Sequence, residues 1–493
     1  MNESLDIETA SGTLRGLRDR DVRTWRGIPF AAPPVGKRRF RAPAPAEPWA
    51  GIRDATRFGP VAPQDRKGPF GGAIAATPRN EDCLTLNVIA PATVEKPLPV
   101  MVYIHGGAYS VGSPADLPFR GVNFVRMGAV HVTLNYRLNA FGYLDFSEYG
   151  FDNNLGLRDQ VAALEWVRDN IAAFGGDPRN VTVYGESSGG NAVTTLLATP
   201  AAAGLFVRAI AQSPPSNAVY RPDVTQQWAR EFMHLLGVAP GGEAEALRSA
   251  PTDDLVTAAR LLFAQVPDEY PGDQAFSPVI DGEYLPQHPV EAFRDGTAQP
   301  VPLIIGTNDR EGSVFFGRRR ILATTRTRIE GLLGNTSAAA AKIMRETYRI
   351  PGRRGSLDFG GDFAFWFPTY QIAEYQSAIA PTWLYRLDFA PPLLKALGID
   401  STHGADLLTV FGRTRSWVGR LTTLLGGTAD LAAVSSRMQD HWFRFAAAGA
   451  VDDAWPRYET ATRANYIFDS PDRVEFDSRA DRRQAWNDFT HLH

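Results

Sequence analysis

Cysteine is almost missing from this chain: Cys83 is the only one among 493 residues. An internal disulfide is therefore excluded, as is a zinc or iron–sulfur centre built on clustered cysteines, and the expected compartment is the reducing cytoplasm. Lysine is scarce too, with five (positions 37, 67, 96, 342 and 395) among 51 basic residues; arginine carries the same charge, so the bias identifies no site. Excess charge is absent, the net being −3, and composition builds in no general attraction to nucleic acid or anionic headgroups. Long apolar runs are absent as well. Nothing approaches the roughly 18 residues that span a bilayer, and the opening MNESLDIETASGTLRG has neither the basic nor the apolar region of a signal peptide. Neither nucleic acid nor a membrane is an expected partner.

What is present is material for a core, since 44% hydrophobic and 21% charged residues is the balance of a folded globular chain. Length alone suggests about three domains, yet no repeat, low-complexity linker or charge run marks a boundary. One large domain over residues 1–493 is the economical expectation. The first 60 residues read as antiparallel edge strands and Pro-rich coil. From residue 84 come apolar runs of strand length: LTLNVIAP, PVMVYIHGG, AVHVTLNY, VTVYGESSGG, VRAIAQSP, VPLIIGTN and PTWLYRLDFA. Their lack of alternation predicts strands buried on both faces. LRDQVAALEWVRDNIAAFGG, between two of these runs, sets Val161, Leu164, Val167 and Ile171 at helical spacing before a Gly-Gly stop. Strand, helix, strand is the unit of a mostly parallel α/β sheet. Stretches at about 220–270, 315–380 and 404–447 have helical periodicity and read as insertions between strands.

One turn carries chemistry. VTVYGESSGGNAV places Gly185-Glu186-Ser187-Ser188-Gly189 between a β-branched strand and a helix start. A strand-to-helix turn this sharp needs small residues two before and two after the serine, and it leaves Oγ of Ser187 exposed. An alcohol is a poor nucleophile until a base takes its proton, so a histidine is required. Of eight histidines, His105 and His131 precede the nucleophile, His234 and His441 fall in helical patterns, and His288 in a Pro-bounded turn. His491 and His493 sit at a terminus prone to fray. His403 remains, on the loop IDSTHGADLL after a core strand. The acid that would orient it belongs at the end of VPLIIGTNDREGSVFF, where Asp309 and Glu311 both qualify. Upstream, His105-Gly106-Gly107-Ala108 follows a buried strand directly, and such small residues let several backbone N–H groups converge on a developing oxyanion.

These motifs, together with RGIPFAAPPVGKRRFRAP, NEDCLTLNVIAP, NYRLNAFGYLDF, NLGLRDQVAALEWVRDNIAAFGGDP and FSPVIDGEYLP, run over almost the whole length. In them the chain resembles the type-B carboxylesterases, the branch of α/β-hydrolases that includes bacterial para-nitrobenzyl esterases and the cholinesterases. The resemblance implies an α/β-hydrolase fold and ester hydrolysis without metal or organic cofactor, acting on a small-molecule ester. It implies Ser187 as nucleophile, Glu311 rather than Asp309 as the acid, His403 as the base, and the amides of Gly107, Ala108 and Ser188 as oxyanion donors. Glu186 matches the acidic residue beside the nucleophile, and Ser213 a polar position behind the site.

The departures also speak. Exported relatives pair the cysteine of the EDC segment with one in a segment resembling FGPVAPQ, where Ala62 stands here; the resemblance thus implies that Cys83 is a free, buried thiol. GGAIAA replaces the tryptophan that cholinesterases carry before that cysteine, which removes the aromatic surface for a quaternary ammonium and disfavours choline esters. Tyr109 stands where phenylalanine is usual. Pocket candidates are Tyr109, Val314, Phe315, Phe316, Phe363, Phe365 and Trp366, a set suited to an apolar or aromatic ester. Two other expectations compete: a catalytically silent binding protein, and the same machinery acting on amide, carbamate or thioester bonds.

Overall fold

The apolar runs become strands whose side chains alternate between two cores, which is why they contain so few polar residues. In the computed structural model, which describes residues 4–65, 77–115 and 121–489, the strands are β1 (Ser4–Thr9), β2 (Gly12–Asp19), β3 (Val22–Pro29), β4 (Ile52–Asp54), β5 (Thr85–Pro91), β6 (Leu98–Ile104), β7 (Val130–Leu134), β8 (Gly176–Glu186), β9 (Arg208–Gln212), β10 (Leu303–Asn308), β11 (Thr382–Leu387), β12 (Ala464–Phe468) and β13 (Arg473–Phe476). They form one sheet in the order β1-β2-β3-β5-β7-β6-β8-β9-β10-β11-β12-β13, with β4 beside β2. Every pairing from β7 to β12 is parallel, while β1, β2, β3 and β5 form the antiparallel flank expected of the N-terminal segment.

On one face, Val100, Val102, Ile104, Val183, Ala209 and Ile305 pack with Leu164 and Val167 of the helix Leu155–Asn170. On the other, Met101, Tyr103, Tyr184, Ile210 and Tyr385 meet Leu431, Val434, Met438, Trp442 and Phe445, which share one stripe of the helix Thr428–Ala448. Strand period two on both sides is the physical content of a doubly covered sheet. The helix expected before β8 ends at Asn170, continues as a tight turn through Phe174, and stops at Gly175 in the left-handed region, φ 92°. Further helices fill 222–269, 326–376 and 405–448. The short β12 and β13, absent from the predicted strands, close the far edge.

Cys83 and Ala62 are both buried in the first core, and Cys83 has no disulfide partner. Burial raises its thiol far above the ordinary range. The GGAIAA stretch lies outside the described residues. Among the described residues, no helix is long and apolar enough to cross a membrane.

Candidate active site

β8 ends at Glu186 and the helix Ser188–Leu197 begins two residues later, so the whole reversal falls on Ser187. Its backbone adopts φ 60°, ψ −128°, a conformation that costs a non-glycine residue of order 1–3 kcal/mol. The flanking glycines are dictated by contact. A Cβ on Gly185 would stand 2.5 Å from the Gly189 carbonyl oxygen, and one on Gly189 2.1 Å from that of Ile104.

His403 reaches this turn from the loop after β11. Its Nε2 lies 2.9 Å from Ser187 Oγ, and its Nδ1 lies 2.7 Å from Oε2 of Glu311. The other carboxylate oxygen accepts from the Asn308 amide at 2.5 Å and from Ser213 Oγ at 2.6 Å. With both Glu311 oxygens accepting, Nδ1 is the donor and Nε2 keeps its lone pair for the Ser187 hydroxyl. The two loops are tied together: the Arg310 amide donates to Ser401 O (2.8 Å), Ser313 Oγ to Ile399 O (2.6 Å), and the Arg310 guanidinium to Gly398 O (2.7 Å) and Asp400 (2.9 Å). Phe365 stacks on the imidazole at 4.3 Å between centroids, and Phe315 flanks it at 5.3 Å.

The two candidate acids have different partners. Asp309 turns away to bind Arg479 at 2.5 Å. The other described histidines have different surroundings. His105 stacks on Tyr136, and burial lowers it to about 4; His131 bonds the Tyr184 hydroxyl, and burial lowers it to about 3. His288 caps a helix, His441 accepts from the Asp452 amide, and His234 is exposed. His491 and His493 lie outside the described residues.

Glu186 is buried with Oε1 3.4 Å from His403 Nε2, and loss of solvation pushes its carboxyl up to about 8. For His403, burial favours the neutral ring, but the charges of Glu186 and Glu311 outweigh it and push the imidazole up to about 9. One member of the cluster escaped the sequence reading: Asp406, fully buried, accepts from Gln212 Nε2 (2.7 Å), the Tyr385 hydroxyl (3.2 Å) and Asn308 Nδ2 (3.4 Å). Its signal was its place three residues after His403 in HGAD.

The loop after β6 presses against the serine turn. A Cβ on Gly106 would meet the Glu186 carbonyl oxygen at 2.5 Å, and one on Gly107, at φ 122°, would meet Val111 O at 2.1 Å. Among the described residues the amides of Gly107 and Ala108 have no acceptor, and Ser188, first in its helix, has none within the helix. All three residues line one cavity with Ser187 and His403.

That cavity, about 230 Å³, has an apolar wall including Val314, Phe315, Ile321, Leu322, Phe365 and Leu407. Four of the expected pocket residues are elsewhere. Tyr109 is buried against Tyr143, 4.0 Å between ring centroids, because its left-handed backbone, φ 52°, turns the ring into the core. Phe316 is exposed, while Phe363 and Trp366 pack in the cluster around Trp486.

A family model described as "Carboxylesterase family" matches residues 3–486. The para-nitrobenzyl esterase of Bacillus subtilis (strain 168) is 37% identical over 97% of this chain and 97% of its own. The fumonisin B1 esterase of Sphingopyxis macrogoltabida is 34% identical over 92% of this chain and 84% of its own. A solved PNB esterase superposes with TM-score 0.88 at 35% identity, covering 97% of this chain and 99% of that one. The chain belongs to the carboxylesterase family, and it is a carboxylic ester hydrolase.

Proposed function

We propose that hydrolysis proceeds by double displacement at Ser187. His403 Nε2 takes the hydroxyl proton as Oγ attacks the acyl carbonyl, while the amides of Gly107, Ala108 and Ser188 receive the oxyanion. The protonated His403 then delivers that proton to the departing alcohol, and Glu311 stabilises the imidazolium in between. Water repeats the sequence on the acyl-enzyme and releases the acid. The observation that carries this reading is the unbroken line from Ser187 Oγ through His403 to Glu311, at 2.9 and 2.7 Å. Ser213 and Asn308 hold the acid in place.

The apolar wall supports substrates whose acyl or alcohol group is apolar, aryl or alkyl. A cytoplasmic location accords with the single buried thiol, and one domain over the whole chain accords with the continuous sheet. Ser187→Ala is expected to lower kcat on a para-nitrophenyl ester by about 10⁴-fold or more, and an organophosphonate is expected to label Ser187. Substantial activity in the variant, or label on another residue, removes the assignment. A panel of aryl and alkyl esters with matched amides and carbamates reads out which bond is preferred.

A further inference from the structure

The helix Trp417–Thr422 buries Gly419 against the loop that leads into it: a Cβ there would stand 2.1 Å from the Thr414 carbonyl oxygen. Close seating on Gly419 sends the opposite side outward. Trp417 is 76% exposed, and Val418 and Leu421 on the same side are exposed too. The chain continues into Leu424 and Leu425, 68% and 62% exposed, and the neighbouring helix Pro392–Ala396, against which Gly427 packs at Pro392, adds Leu397 at 63%. Water-facing tryptophan and leucine at this density are costly for a surface that faces water alone.

The charges around the patch are predominantly positive. Lys395, Arg415 and Arg420 are exposed and Arg413 partly so. Of the acidic groups of the same stretch, Asp400 pairs with Arg310 and Asp406 is inside the core, while Asp430, just beyond, is exposed, accepts from Ser470 and keeps its charge, so the four cations outnumber it. A two-fold contact between copies would set these four cations against their own images, which disfavours self-association. Apolar side chains ringed by cations complement an anionic lipid surface, where the rings and leucines enter the headgroup boundary and the cations meet phosphate and carboxylate. The whole-chain charge excludes general attraction of this kind, and the local cluster departs from that average.

We propose that Leu397, Trp417, Val418, Leu421, Leu424 and Leu425, with their basic rim, form a peripheral docking surface for anionic lipid bilayers. The docking does not depend on the catalytic reading, so Ser187→Ala protein serves for the test. It should sediment with vesicles of equal parts phosphatidylcholine and phosphatidylserine, less with phosphatidylcholine alone, and less as salt rises. Trp417→Ser/Leu424→Ser/Leu425→Ser should abolish sedimentation, and Arg415→Glu/Arg420→Glu should weaken partitioning by about fivefold or more for each cation reversed. The same substitutions in the active parent should leave turnover of a soluble ester unchanged, which shows that the fold is intact. Absence of binding to the anionic vesicles, or binding that the triple variant retains, overturns the proposal. So does a dimer in sedimentation velocity that the triple variant dissolves without any vesicle binding, which assigns the patch to a second copy.

Discussion

Glu186 Oε1 stands 3.4 Å from the nitrogen of His403 that faces the Ser187 hydroxyl. A second carboxyl is thus held on the reacting side of the imidazole, opposite Glu311. His403 must be neutral to take a proton, so kcat/KM rises with pH as the ring deprotonates. Burial lowers the imidazole, yet Glu186 and Glu311 carry it up to about 9, which places the ascending limb above the ordinary histidine range. Glu186→Gln withdraws one of the two charges. The limb is expected to move to lower pH by roughly one unit; a limb that stays in place or moves upward in a pH–rate profile refutes the coupling.

Asp309 and Glu311 are two residues apart and have different partners, Arg479 and His403. Glu311→Gln should lower kcat by roughly 10⁴-fold, because Nδ1 loses the acceptor that fixes its tautomer. Asp309→Asn should leave kcat within a few-fold while removing the partner of Arg479, at a cost of about 1–2 kcal/mol in denaturant unfolding. The opposite ordering of the two kcat values means that the acid is misassigned.

Gly107→Ala probes the oxyanion loop. Its φ of 122° and the 2.1 Å approach to Val111 O leave no room for a methyl group, so the loop must shift and carry its amides off target. The expected loss is about 10²–10³ in kcat with KM little changed. Unaltered kcat would show that these amides do not hold the oxyanion.

Cys83 is buried, and its thiol is raised by loss of solvation. The native chain should not react with a disulfide reagent such as 5,5′-dithiobis(2-nitrobenzoate), and one thiol should appear on unfolding. Prompt stoichiometric reaction of the folded protein contradicts the burial.

Much of this was legible in the residues because the responsible physics is local. The central strands announce themselves as unbroken apolar runs, since both faces are covered, and the Ser187 turn announces itself through glycines that sterics require. The choice between Asp309 and Glu311 is not local. It depends on Arg479, far along the chain, drawing one carboxylate outward, and only the resemblance distinguished them beforehand. Tyr109 was misplaced because its left-handed backbone is invisible in a one-dimensional pattern, and Phe363 and Trp366 because an aromatic run does not reveal which ring faces a cavity and which faces Trp486. β12 and β13 are four or five residues each, too short for periodicity to identify. Asp406 went unread because its burial among Gln212, Tyr385 and Asn308 depends on residues far along the chain.

The conformation of Ser187 sets backbone stability against the hydroxyl it carries. The fold itself would be better served by glycine there, since φ 60°, ψ −128° is natural to glycine and strained for serine. Ser187→Gly should therefore relieve backbone strain and raise thermal stability while removing the hydroxyl. The strain at Ser187 is thus a stability cost borne at the residue that carries the proposed nucleophile.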